Sequence, residues 1–176
     1  MPANWTQPAT WSVNQLVTAD DMNEQLRDNL EFLKGPPTGA HKADQVADYT
    51  TTSTTFVDVD GTNFSFSLDT AGGDVLIGFS GTFLTNAANR QIYLDAHVNT
   101  LGRVGADDGL VMVQNPGEST NRPFSMAFVY LLRSLPAGTH IFRVQWKVDG
   151  GTGTLYAGAG TSQRDIHPQF WVREVS

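Results

Sequence analysis

From Tyr49 to the end of the chain, apolar and polar residues alternate with a period of two. That period marks strands with one buried face. Phe64, Phe66 and Leu68 alternate with Asn63, Ser65 and Ser67. Val75, Ile77, Phe79 and Phe83 share one parity, as do Ile92, Leu94, Ala96 and Val98, and again Phe142, Val144, Trp146 and Val148. Turn-forming residues separate the runs, among them Asp60-Gly61, Gly72-Gly73, Asp108-Gly109 and Gly150-Gly151. Roughly eight to ten strands at this spacing predict an antiparallel jelly-roll β-sandwich over 49–176. Asp60-Gly61, lying between two alternating runs, predicts a tight hairpin.

Two segments depart from simple alternation. In one, Phe124, Met126, Phe128 and Tyr130 form one face while Val129 and Leu131 fall on the other. In the other, Phe170, Trp171 and Val172 are consecutive. A strand apolar on both faces is covered on both. These residues are therefore expected in the core or at a contact between subunits.

Ahead of the strands the period lengthens to that of a helix, over 18–34. Thr18 is placed as N-cap, with Asp21 three residues on as a variant capping box. Asp20 and Asp21 suit the positive end of the helix dipole, and Lys34 the negative end. Gly35, expected in the left-handed conformation, and Pro36-Pro37 stop the helix. Met22, Leu26, Asn29 and Leu33, with Leu30 beside them, have the spacing of a short coiled-coil seam. A polar Asn29 on such a seam fixes register and copy number at a cost in stability. So short a helix is marginal alone, so its stripe is expected to be covered by the β domain or by copies of itself. Residues 1–17 lack either period and read as an extended arm, with Trp5 and Trp11 as candidate docking residues on the chain's own domain or a partner. Residues 35–48, rich in Gly, Pro, Thr and Ala, read as a linker.

Composition narrows the chemistry. Among 176 residues there is no cysteine, which excludes disulfides, thiolate zinc sites and a cysteine nucleophile. The formal net charge is −7, and neither the first 48 residues nor the rest carries a basic stripe. Nucleic acid and anionic membrane surfaces are thus disfavoured partners. No apolar run approaches ~18 residues, so no membrane insertion is expected. The start of the chain has neither the basic nor the apolar segment of a secretory signal.

His41, His97, His140 and His167 are scattered, with no helical pairing that would hold zinc. Asp58-Val-Asp60-Gly-Thr-Asn63 places oxygen ligands at alternate positions but lacks the downstream glutamate of a calcium loop. Gly105-Ala-Asp107-Asp108-Gly109 reads as a solvated turn. Paired carboxylates for glycoside hydrolysis would draw on Asp95 with Glu118 or Glu174, and nothing in their spacing selects a pair. A nucleophile elbow, a P-loop and a dinucleotide fingerprint are all missing from the sequence. Neither a cofactor, nor a metal, nor an enzymatic activity is expected.

The stretch from Trp11 to Pro37, with Val17-Thr18-Ala19, Asn23, Gln25-Leu26-Arg27-Asp28-Asn29-Leu30 and Leu33-Lys34, resembles an N-terminal segment of tailed-bacteriophage virion proteins. In those proteins a variable C-terminal domain follows a Pro-rich linker. The remainder resembles the trimeric jelly roll of the tumour-necrosis-factor and complement C1q type. The residues that carry this are Gly72-Gly-Asp-Val-Leu-Ile-Gly-Phe79, Leu135-Pro-Ala-Gly-Thr-His-Ile-Phe-Arg-Val-Gln-Trp146 and Phe170-Trp-Val172. Together the resemblances imply a homotrimeric structural component of a virion, a capsid decoration or a fibre or tail-attached protein, joined to other virion proteins by its arm and helix. The alternative is a module recognising a host protein or glycan through the loops Asn86–Arg90, Leu101–Asp108 and Asn115–Arg122.

Overall fold

The alternating residues close face to face between two antiparallel sheets. The computed structural model describes residues 5–42, 47–115, 122–158 and 165–175, and within them twelve strands. These are β1 (Thr38–Lys42), β2 (Tyr49–Thr51), β3 (Val57–Asp58), β4 (Ser65–Thr70), β5 (Gly73–Thr85) and β6 (Gln91–Val98), then β7 (Gly102–Arg103), β8 (Val111–Gln114), β9 (Phe124–Leu135), β10 (Gly138–Val148), β11 (Gly153–Leu155) and β12 (Gln169–Glu174). One sheet runs β1-β12-β5-β11-β2, with β9 also paired to β5; the other runs β3-β10-β6-β7, with β4 on β10 and β8 on β6. The protein is a mainly antiparallel jelly-roll β-sandwich.

Parity explains the core. Ile77, Phe79 and Phe83 of β5 face Leu94 of β6 and Val144 and Trp146 of β10, all buried. Phe83 and Trp146 meet across the two sheets at a ring-centroid distance of 6.3 Å. Each such side chain contributes about 1.5–3 kcal/mol through burial.

Two local expectations are corrected. Asp60-Gly61 does not reverse the chain: β3 and β4 both pair antiparallel with β10, end to end. The Asp60 carboxylate accepts N–H bonds from Thr62 and Asn63, at 2.7 and 2.9 Å, and so shapes a local turn between two collinear strands. The stretch 35–48, read as a linker, holds β1, which pairs along β12 from Thr38↔Arg173 to Lys42↔Gln169. The position where an apolar residue would have marked this strand is Gly39. A Cβ there would lie 2.3 Å from the Phe66 ring, so the strand packs by omitting a side chain.

The helix forms as one rod of three parts: α1 (Ala19–Met22), a π-helical stretch (Asn23–Asp28) and α2 (Asn29–Lys34). The capping box is present: Asp21 N–H donates to Thr18 Oγ1 at 3.2 Å, and Thr18 N–H donates to the Asp21 carboxylate at 2.9 Å. Gly35 is not left-handed, with φ −143°; the two prolines end the helix.

Candidate functional site

The two sheets present different outer faces. On the β6–β10 sheet, Asp95 projects away from the core but is fully buried, because residues 103–110 fold back over it. Its carboxylate accepts from Ala96 N–H at 2.8 Å, Gly105 N–H at 2.9 Å and Arg103 Nη1 at 3.1 Å. Burial pushes this carboxyl above its ordinary value, against the pull of the two N–H donors and Arg103. Lys147 lies over the rings of Phe56 and Tyr93 and donates to the Asp107 carbonyl and the Asp108 carboxylate. Gln145 bonds Asp58 at 2.7 Å. This face is finished with polar contacts inside one chain.

The outer face of the β9–β5–β12 sheet carries apolar residues among polar ones, and two of them, Val129 and Leu131 on β9, are exposed. The cross-strand register places Val129, Gly78 and Trp171 in one row, and Leu131, Leu76 and Arg173 in the next. Val129 is 66% exposed and Leu131 is exposed beside it. Trp171 lies over Gly78, where a Cβ would come within 2.2 Å of the indole. β9 also ends this sheet: among the described residues it pairs with β5 alone. A twelve-residue edge strand with apolar outward positions is a template for association.

The residues expected in the core or at a subunit contact are now divided. Met126, Phe128, Phe170 and Val172 are buried, and Phe124 and Tyr130 pack against the core from its margin. Trp171 belongs to the outer face. Its companions there include Leu76, at a parity of β5 otherwise held by Asp74, Gly78, Ser80, Thr82 and Leu84, and Ala127, which shares the parity of Val129 and Leu131.

In the arm Trp5 takes one of the two expected courses, whereas the helix differs from expectation. Trp5 is engaged within its own chain, 6.1 Å from the buried Phe32 ring, in a depression completed by Leu33 and Val175. Trp11 is exposed. Asn29 is no seam residue. It is buried, accepts from Thr6 N–H at 2.8 Å and donates to the Thr6 carbonyl at 2.9 Å, so it ties the arm to the helix. The cause is the π-helical stretch, whose wider turn brings residues four apart into line. Met22, Leu26 and Leu30, with Leu33, then form one exposed stripe, Leu30 at 62%. Asn29 and Phe32 occupy the face turned toward the arm and β12. Phe32 was overlooked because an ordinary 3.6-residue period sets it beside the stripe.

The chemical candidates are dispersed. Asp95 is on the outer side of one sheet and Glu174 points inward from the other, so they share no cleft. Glu118 lies outside the described residues. Asp60 is held by Thr62 and Asn63, and Asp58 by Gln145, so both carboxylates of the supposed calcium loop are engaged by protein donors. His140 is buried, His167 lies 3.6 Å from Asp165, and His41 stands in β1. Two of the candidate recognition loops meet, where Asn115 N–H donates to the Arg90 carbonyl at 2.9 Å and Asn115 Nδ2 to the Ala87 carbonyl at 3.3 Å. Asn86–Arg90 precedes β6, whereas Leu101 follows its far end, and 116–121 lie outside the described residues. Among the described residues no helix is long and apolar enough to cross a membrane.

No known protein family matches the sequence, and no curated protein matches it. Among solved structures, the chain is similar to Eiger TNF from S. frugiperda, at 15% identity and a TM-score of 0.46, over 80% of this chain and 94% of that one. It is also similar to the VP2 protein of infectious bursal disease virus, at 12% identity and a TM-score of 0.38, over 80% of this chain and 36% of that one. The chain thus spans little more than a third of the viral protein.

Proposed function

We propose that this chain is a structural, non-enzymatic component of a virus particle that assembles with copies of itself. The observation that carries this reading is the apolar row of Val129, Gly78 and Trp171, with Val129 exposed, on a sheet where β9 pairs among the described residues with β5 alone, set against an opposite face closed by its own polar contacts. A second copy is the occupant the contrast favours: among the described residues, the chain's own polar contacts finish one face and leave Val129 and Leu131 exposed on the other. Exposed contiguous apolar surface of this kind marks association sites. Three is the copy number implied by the resemblance to jelly rolls of the tumour-necrosis-factor type. The resemblance of Trp11–Pro37 to the opening of tailed-bacteriophage virion proteins supports a phage particle as the setting. In that reading the exposed stripe Met22, Leu26, Leu30 and Leu33 faces other virion proteins.

Immunogold electron microscopy of particles from the native source tests the setting, with label expected on intact virions. Leu26→Asp with Leu30→Asp tests the attachment, because both side chains are exposed and the fold does not need them. The double variant is expected to fold and to leave the particles. Unlabelled particles, or a variant that still binds them normally, would refute the corresponding part of the proposal.

A further inference from the structure

Glu174 ends β12 with no exposed surface. It shares the inward parity of Phe170 and Val172, so a carboxyl stands where the strand otherwise supplies apolar groups. One oxygen, Oε2, accepts the Ala71 N–H at 3.1 Å, in the connection between β4 and β5, and the Gly72 N–H also bonds the carboxyl. The other oxygen, Oε1, is buried and has no hydrogen-bond partner. The titratable group facing it is His140 of β10, itself buried between Thr100 Oγ1 at 3.0 Å and the Pro136 carbonyl at 2.8 Å. From the neighbouring elements, Arg173 is exposed on the opposite side of β12, and the Asp74 carboxylate at the start of β5 accepts the Ser134 N–H at 3.0 Å.

The backbone at Glu174 is the junction between the N-terminal segment and the sandwich. Its N–H donates to the Pro37 carbonyl at 3.0 Å, the next residue bonds Asp74, and β1 begins opposite Arg173. Phe32 and Pro36 line the same depression as Glu174 and Val175. A buried carboxylate with a donorless oxygen is costly, and its neutral form much less so.

We propose that Glu174 is a proton-operated catch at this junction, tight when the carboxyl is neutral and loosened when it ionises. Burial raises the carboxyl above the ordinary 4.5, against the pull of Ala71, Gly72 and His140. A raised carboxyl stabilises the fold fully below 4.5, and this contribution is lost as pH rises through the folded value. Acid therefore tightens the hold of β1 and the helix on the sandwich.

Hydrogen exchange on the full chain, read at 38–42 and 169–174 from about pH 4 to about pH 8, tests the catch. After correction for intrinsic exchange, wild-type protection is expected to fall about tenfold per pH unit between 4.5 and the folded midpoint. In Glu174→Gln protection should be flat with pH. The same fall in Glu174→Gln, or its loss in His140→Gln alone, would overturn the proposal. Should Glu174→Gln not fold, the wild-type Glu174 carboxyl carbon resonance decides. A midpoint above 4.5 supports the catch, and one at or below 4.5 removes it.

Discussion

The indole of Trp171 rests on Gly78 across the β5–β12 pair, so closely that a Cβ on Gly78 would lie 2.2 Å from the ring. The glycine thereby sets the shape of this outer face. Gly78→Ala is expected to displace the indole and to cost about 1–3 kcal/mol, the range for overpacking. Because the ring sits on the outer surface, the larger effect should fall on self-association. Thermal melting and a Trp171 indole NMR signal check the two parts separately. An unmoved indole signal would show that the ring does not depend on the glycine.

Asn29 fastens the arm through two bonds to the Thr6 backbone. Asn29→Ala should release the arm at a cost of about 1–3 kcal/mol, the penalty for stranding partly buried polar groups. The Trp5 indole should then lose its contact with Phe32, read as loss of their NMR cross-peaks. Asn29→Leu should behave alike, because an apolar side chain cannot bond Thr6. A variant with higher stability and an intact Trp5–Phe32 contact would restore the coiled-coil seam as the better account.

Asp95 pins residues 103–110 through Gly105 and Arg103. Asp95→Ala should cost about 3 kcal/mol, the low end for removing one member of a buried pair, because Arg103 keeps part of its surface in water. Chemical denaturation measures the cost, and hydrogen exchange should show lost protection at Val104 and Leu110, whose N–H groups bond β6 carbonyls. A loss spread evenly over the sandwich would contradict the local role.

Much of the sandwich was legible because burial follows parity. Ile92, Leu94, Ala96 and Val98 alternate in the sequence and are all buried. β1 was not legible, because its inward position is a glycine chosen for the Phe66 ring, and periodicity registers side chains. The true face of the helix was hidden by the π-helical stretch, whose phase depends on hydrogen bonds that the sequence does not announce. For the two-faced strands, sequence could say that both faces carry apolar residues. It could not separate Phe128 in the core from Val129 outside it, because that needs the partner sheet.

The mass of the full chain in solution, by analytical ultracentrifugation, tests whether copies cover the face built on Val129, Leu131 and Trp171. Wild type should sediment at three times 19.1 kDa, and Val129→Asp with Leu131→Asp should fold but sediment at 19.1 kDa. Wild type that remains a folded single copy at high concentration would contradict the account, as would a double variant of unchanged mass.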